Sequence, residues 1–231
     1  MLHIQGEKVT KKCNYIPFRD HPQKGRRKAC GQELLMTLYG NDGKKLLYPF
    51  KTYCYMPLGK AVEKLLLRKE VDYGCEHWKS RETKEGIMTD IYDGVIWKDN
   101  IEDLNVKNTY GLAINLDWFC PFEHVRSYSV GVIYGVLLNL PRTERYLRKN
   151  IFLIGIIPNM KKEPKTNTFI KPFVEDLLSS WNGGMLINTF SSPYNKISVR
   201  LMLLLVGCDI PACRKLCGFL DIIFFSLSCY Y

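Results

Sequence analysis

Four apolar runs in the second half of the chain, with one amphipathic segment before the last, narrow the folds open to this sequence. "YGLAINLDW" (110–118) alternates and ends near Asp117, and "YSVGVIYGVLLNLP" (128–141) is long and rich in Val and Ile. "NIFLIGIIP" (150–158) is closed by Pro158. All three have the composition of buried strands. A polar linker, "KKEPKTNT", leads to "FIKPFVEDLLSSWNGG" (169–184), whose spacing predicts a helix with Pro172 in its first turn and a Gly pair as its stop. "VRLMLLLVGC" (199–208) then runs into Asp209. Strand, strand, strand, helix, strand means two antiparallel returns followed by a helical crossover, which brings the last strand back parallel to an earlier one. The ribonuclease-H-like arrangement lays that fourth strand beside the first, with both C-terminal ends pointing the same way.

In that arrangement Asp117 and Asp209 sit at neighbouring strand ends. Paired carboxylates supply hard oxygen ligands suited to Mg²⁺ or Mn²⁺. Two such ions about 4 Å apart activate the attacking oxygen and stabilise the leaving one in phosphodiester chemistry. A second reading fits the same residues: Asp209 before "IPACRK" caps a helix, and Asp117 before "WFCPF" is a loop acid.

The first half is organised differently. Residues 1–30 hold eight Lys or Arg against Glu7 and Asp20, and the whole chain carries a formal charge of +10. That balance fits nucleic acid or an anionic surface as partner, and equally a soluble protein with a basic arm. "GNDG" between Leu- and Tyr-rich flanks predicts a hairpin over residues 33–56. "PLGKAVEKLLLRKE" predicts a helix after Pro57, with Val62, Leu65, Leu66 and Lys69 on one face. Residues 72–100 read as irregular, punctuated by Trp78, Tyr92 and Trp97. Nine scattered cysteines and no apolar leader in "MLHIQGEKVTKKC" favour a reducing, intracellular setting over a disulfide framework. No run is long enough to cross a membrane. A tail anchor in "IIFFSLSCYY" is the weaker alternative to a soluble chain.

In order along the chain, "NLDWFCPFEHVRSYSVGVIYGVLLNLPR", "NIFLIGIIPNMKKEP", "FIKPFVEDLL" and "GCDIPACRKLCGFL" resemble the transposase of CACTA (En/Spm-type) DNA transposons. Upstream, "CNYIPFRDHP", "LYPFKTYCYMPL", "CEHWKSR" and "YDGVIW" resemble the region before its catalytic domain. The resemblance covers most of residues 13–220. It implies an α/β (α+β) chain with an incomplete ribonuclease-H-like core, comprising strands one to four and the first helix, preceded by a small Cys/His-containing region. It also implies cut-and-paste DNA transposition in a nucleus, with Mg or Mn as cofactor and transposon ends as partner. An intact transposase is a further candidate partner. Asp117 matches the first catalytic acid and metal ligand, and Asp209 the second.

Three departures shape the expectation for this chain. Cys120 replaces a polar amide beside the first acid. After Leu220 the sequence reads "DIIFFSLSCYY" where relatives carry a zinc knuckle and, further on, the third acid. Residues 1–12 offer only His3 in place of an N-terminal Cys-x-x-Cys pair. The resulting expectation is a catalytically inactive piece of such a transposase, poorly soluble alone. The alternative is a non-catalytic module that binds DNA or a transposase. Its expected parts are a basic arm (1–30), an N-terminal α/β region (31–104), a partial catalytic domain (105–220) and an apolar tail (221–231).

Smaller groupings complete the list of candidates. Cys13, His21 and Cys30 lie at C-x₇-H-x₈-C spacing, one ligand short of a closed zinc site, and resemble half of a zinc module; a basic arm is the competing reading. Cys54 with Cys75 and His77 forms a second candidate trio. Cys213 and Cys217 lie four apart, a spacing that fits metal ligands or a buried helix face. For DNA phosphates the candidates are Arg26, Arg27, Lys28, Arg142, Arg145, Arg148 and Lys149.

Overall fold

Two apolar runs flanking Gly-Asn-Asp-Gly fold back on each other as expected. In the computed structural model β1 (Leu35–Tyr39) pairs antiparallel with β2 (Lys45–Pro49), from Leu35 opposite Pro49 to Tyr39 opposite Lys45. Gly43 takes φ 72°, a conformation costly for other residues. The Asp42 carboxylate accepts the Lys44 backbone N–H at 3.1 Å, which closes the turn. The structure describes residues 11–14, 16, 28–50, 52–82, 86–124, 128–159, 166–209 and 212–213. The chain divides into two units, residues 1–53 and 54–231. No described residue of the first unit is buried.

The second unit is a mixed α/β structure built on a strongly curled six-stranded sheet, ordered β3-β6-β5-β4-β8-β7. Its long members are β4 (Thr109–Phe119), β5 (Val130–Leu137), β6 (Phe152–Ile157) and β8 (Ile197–Cys208). β5 is antiparallel to both β4 and β6. Beyond the short helix α5 (Arg142–Arg145), the crossover runs through α6 (Thr166–Gly183), and β8 returns parallel to β4 and directly beside it. This is the adjacency of first and fourth strands expected from the element order. Register shifts at Leu112/Ala113 and Ile133/Tyr134 add local twist, consistent with the curl.

Each face of the sheet carries a packed layer. On β4, Tyr110, Leu112, Ile114 and Leu116 turn to one face, where they meet Leu58, Val62, Leu65 and Leu66 of α1 (Leu58–Leu66) and Ile170 and Phe173 of α6. Ala113 turns to the other, against Trp78, Tyr92, Trp97 and Leu104. Those four residues come from a 3₁₀ turn at 77–80, another at 91–93, α3 (Val95–Asp99) and α4 (Ile101–Asn105). The stretch read as irregular is thus a compact aromatic layer. The Trp78 and Trp97 rings meet edge-on at 5.0 Å, and those of Tyr92 and Trp97 at 4.8 Å.

Several boundaries differ from the sequence reading. The helix after Pro57 breaks at Leu67–Arg68, and α2 (Lys69–Gly74) begins anew, which leaves Lys69 exposed rather than on the buried face. Helix α6 starts at Thr166, three residues early, so Pro172 lies in its second turn. β4 runs two residues past Asp117. Two short strands were not anticipated: β3 (Cys54–Tyr55) beside β6, and β7 (Met185–Ile187) beside the start of β8. Two or three residues carry no readable alternation, and cross-strand hydrogen bonding alone defines them. The tail 221–231 lies outside the described residues. Among the described residues no helix is long and apolar enough to cross a membrane.

Candidate functional site

The last pair between β4 and β8 is Leu116 with Cys208, so Asp117 and Asp209 each lie one step beyond. Paired residues on neighbouring strands share a face and sit about 5 Å apart. Leu116 and Cys208 both pack on the α1/α6 side. Alternation therefore assigns Asp117 and Asp209 to the opposite face, the one that carries the aromatic layer further along the sheet.

Both acids are exposed. Asp117 Oδ1 accepts the N–H of Trp118 at 2.8 Å. Asp209 Oδ1 accepts the N–H of Ala212 at 2.7 Å, and the Asp209 carbonyl accepts that of Cys213 at 2.8 Å. Asp209 therefore caps the helical turn at 212–213, as the capping reading of "DIPACRK" anticipates. Capping engages one oxygen. The Oδ2 atoms of Asp117 and Asp209 have no partner among the described residues. Two exposed carboxylates on neighbouring strands, each with an oxygen to spare, fit a divalent ion that keeps several of its waters. No third ligand joins them: among the described residues no group of three His, Cys, Asp or Glu is placed to hold a metal.

Trp118 is held by a glycine across the strand pair. Gly131 lies opposite, and a Cβ there would fall 2.8 Å from the indole. Only glycine leaves room for the ring in this position. Cys120, just past the end of β4, is exposed.

The other candidates divide. Cys13 and Cys30 come from two stretches of the first unit joined antiparallel by the Lys12–Glu33 bridge. The Cys13 N–H donates to Gln32 O at 2.8 Å, and the Gly31 N–H donates to Cys13 O at 2.9 Å. The backbone thus brings these cysteines into the same small ladder; His21 lies outside the described residues. The trio Cys54, Cys75 and His77 does not assemble: Cys54 sits exposed on β3, His77 is exposed, and Cys75 is fully buried. Burial, reinforced by Asp72 and Glu76, pushes the Cys75 thiol well above its ordinary range and keeps it protonated. Cys213 is described and Cys217 is not.

Of the cations, Lys28, Arg142, Arg148 and Lys149 are exposed, and Arg26 and Arg27 lie outside the described residues. Arg145 is a correction. Only 1% exposed, it donates Nε to the Leu138 and Leu140 carbonyls at 3.1 Å each and pairs with Asp90 at 2.8 Å. Its guanidinium also lies 5.1 Å from the Tyr92 ring centre. It is a core residue here, with no surface left to offer a phosphate. Spacing alone could not separate it from the other cations of "PRTERYLRK". The signal lay elsewhere, in "TDIYDG", where Asp90 and Asp93 form a capping box around the 91–93 turn.

The basic turn also sits away from the acids. Leu138 and Asn139 hydrogen-bond to Gly111 near the start of β4, at 2.8 and 2.7 Å. Asp117 lies six residues further along β4, about 20 Å at the rise of a strand. Arg68, which the sequence reading passed over, holds that turn. Its Nη1 donates to the Lys149 carbonyl at 2.8 Å and its Nη2 to Asn150 Oδ1 at 2.5 Å.

Comparison with protein-family models, curated proteins and solved structures returns no match.

Proposed function

We propose that this chain is a DNA-binding scaffold of the transposase type, with a ribonuclease-H-like arrangement of its first four strands and a two-carboxylate divalent-metal site at Asp117 and Asp209. The observation that carries the reading is the parallel pairing of β4 with β8, whose last pair, Leu116 with Cys208, lies one residue before each acid. Strand order β6-β5-β4-β8 with a helical crossover supports the same reading. A Mg²⁺ or Mn²⁺ ion held there would polarise a phosphodiester oxygen. The chain's own part is to present the two Oδ2 atoms on one face, with Asp209 braced by its cap and Asp117 by the Trp118–Gly131 contact.

With two carboxylates gathered and no third ligand among the described residues, the reading is DNA binding without efficient cleavage. This is also where the alternative, a non-catalytic module, draws its support. Fluorescence anisotropy with duplex DNA over a range of NaCl tests the proposal. Affinity falling steeply with salt, and surviving Asp117→Asn with Asp209→Asn, is the expected outcome. No binding at low salt would sink the DNA reading. Mg²⁺-dependent strand cleavage at many turnovers would sink the claim of inactivity.

A further inference from the structure

Strand β8 is paired unequally on its two sides. β4 covers Arg200–Cys208 on one side, whereas β7 reaches only Ile197–Val199 on the other. Among the described residues no strand meets Arg200–Cys208 on that outer side. The stretch "LMLLLVGC" contains no charge and no proline, the usual guards of a free edge. Leu205 is 47% exposed and Val206 40%, on a strand whose residues 201–208 are almost all apolar.

We propose that this edge is the interface of a symmetric dimer, in which β8 pairs antiparallel with β8 of a second copy about a two-fold axis through Leu205. The register follows from an irregularity in the strand. Leu112 of β4 pairs with Leu203 and the next residue, Ala113, pairs with Leu205, so Leu204 is an extra residue. With Leu204 counted out, Arg200 falls on the same face as Asp209, because Arg200 pairs with Thr109 and Asp209 follows the pair Leu116–Cys208. A two-fold axis normal to a sheet leaves every side chain on its own face, so residues that meet across it must share a face. An axis at Leu205 satisfies this throughout: Val206 meets Leu203, Gly207 meets Met202, Cys208 meets Leu201, and Asp209 meets Arg200. Without the extra residue, Arg200 and Asp209 would lie on opposite faces and could not meet.

The ends of the pairing are complementary in charge. Arg200 is exposed and makes no ion pair among the described residues, and Asp209 keeps Oδ2 free. The geometry also ends where it should. The chain leaves β8 at Asp209 for its helical turn, just where the other copy's β7 begins to occupy the edge at Val199. The apolar centre supplies attraction, and the two outer ion pairs fix the register.

Sedimentation velocity on the full chain tests the interface. A dimer is expected at about 10 µM, with Leu205→Lys monomeric because two lysines would then meet on the axis. Arg200→Glu should raise the dimer dissociation constant about tenfold or more, and Arg200→Glu with Asp209→Arg should restore it to within about threefold. Circular dichroism checks that each variant is folded; Leu205 is already half-exposed, so its replacement leaves the core intact. A wild-type monomer at about 100 µM, an oligomer indifferent to Leu205→Lys, or failure of the charge swap to restore pairing would each overturn the proposal. The metal reading fails separately: Asp117→Asn removes a metal ligand and leaves the dimer intact, since Asp117 takes no part in the β8 pairing.

Discussion

The two ends of the central sheet are built in opposite ways. At the end where β4 begins, Tyr92 and Arg145 are buried within a hydrogen-bond network. The Tyr92 hydroxyl lies 2.7–3.0 Å from the carbonyls of Leu138, Asn139 and Leu140, and Arg145 bridges two of those carbonyls to Asp90. Asp93 accepts from Arg81, from Thr89 and from the Asp90 backbone. At the end where β4 finishes, Asp117 and Asp209 are exposed and each holds a single backbone N–H. Charge on the buried groups at the first end, Arg145 and Asp93, is taken up in holding the fold. At the second it is left available to a ligand. A cation-rich segment therefore says little about binding until burial is known, whereas two lightly held acids at adjacent strand ends point to a site.

That contrast breaks first at Arg145. Arg145→Met should cost about 3–5 kcal/mol in urea unfolding, because it takes the cation from the part-buried Asp90 carboxylate and a donor from two carbonyls. Arg148→Met, three residues on and exposed, should cost less than about 0.5 kcal/mol. Equal costs would erase the distinction between buried and exposed charge on which the contrast rests. Gly131→Ala is next: with 2.8 Å between its Cβ and the Trp118 ring, something must move, at about 1–3 kcal/mol. Because Trp118 follows Asp117, a shift in tryptophan emission should accompany weaker metal binding.

The pH response sharpens the same contrast. Arg81, then the Thr89 N–H, hold the Asp93 carboxyl well below the ordinary carboxylate range. A depressed carboxylate stabilises the fold above its unfolded value of about 4 and loses that contribution as the pH falls below it. Urea midpoints should therefore drop between pH 5 and pH 2, and Asp93→Asn should flatten that part of the profile. At the alkaline side, burial pushes the Tyr92 hydroxyl up to about 12. Stability should fall from about pH 10 upward, as the unfolded chain ionises first. The smallest effect belongs to the surface: Arg148→Ala or Lys149→Ala should reduce the salt slope of DNA binding by about one. Arg68→Ala should disturb the same slope indirectly, since it frees the turn that both residues occupy.

Legibility followed the physics of each element. The hairpin at "GNDG" and the long strands were readable because turn chemistry and apolar runs act locally. Even the return of β8 beside β4 followed from the order of elements, since a helical crossover leaves few alternatives. Asp117 and Asp209 were singled out by position, and the shared face of their strand ends needed the register. The aromatic layer, by contrast, was hidden, because Trp78, Tyr92 and Trp97 come from three short turns with no common period. The burial of Arg145 was equally invisible, since its partner Asp90 lies 55 residues away. Long-range pairing also created β3 and β7, strands too short to carry a pattern.

The central claim is that Asp117 and Asp209 act together on one divalent ion. Electron paramagnetic resonance titration of Mn²⁺ into the full chain measures this directly. The account expects saturable binding of one ion with a dissociation constant of about 0.1–1 mM, weakened at least about fivefold by Asp117→Asn and by Asp209→Asn alike. Mn²⁺ binding that both substitutions leave unchanged in a folded chain would contradict it.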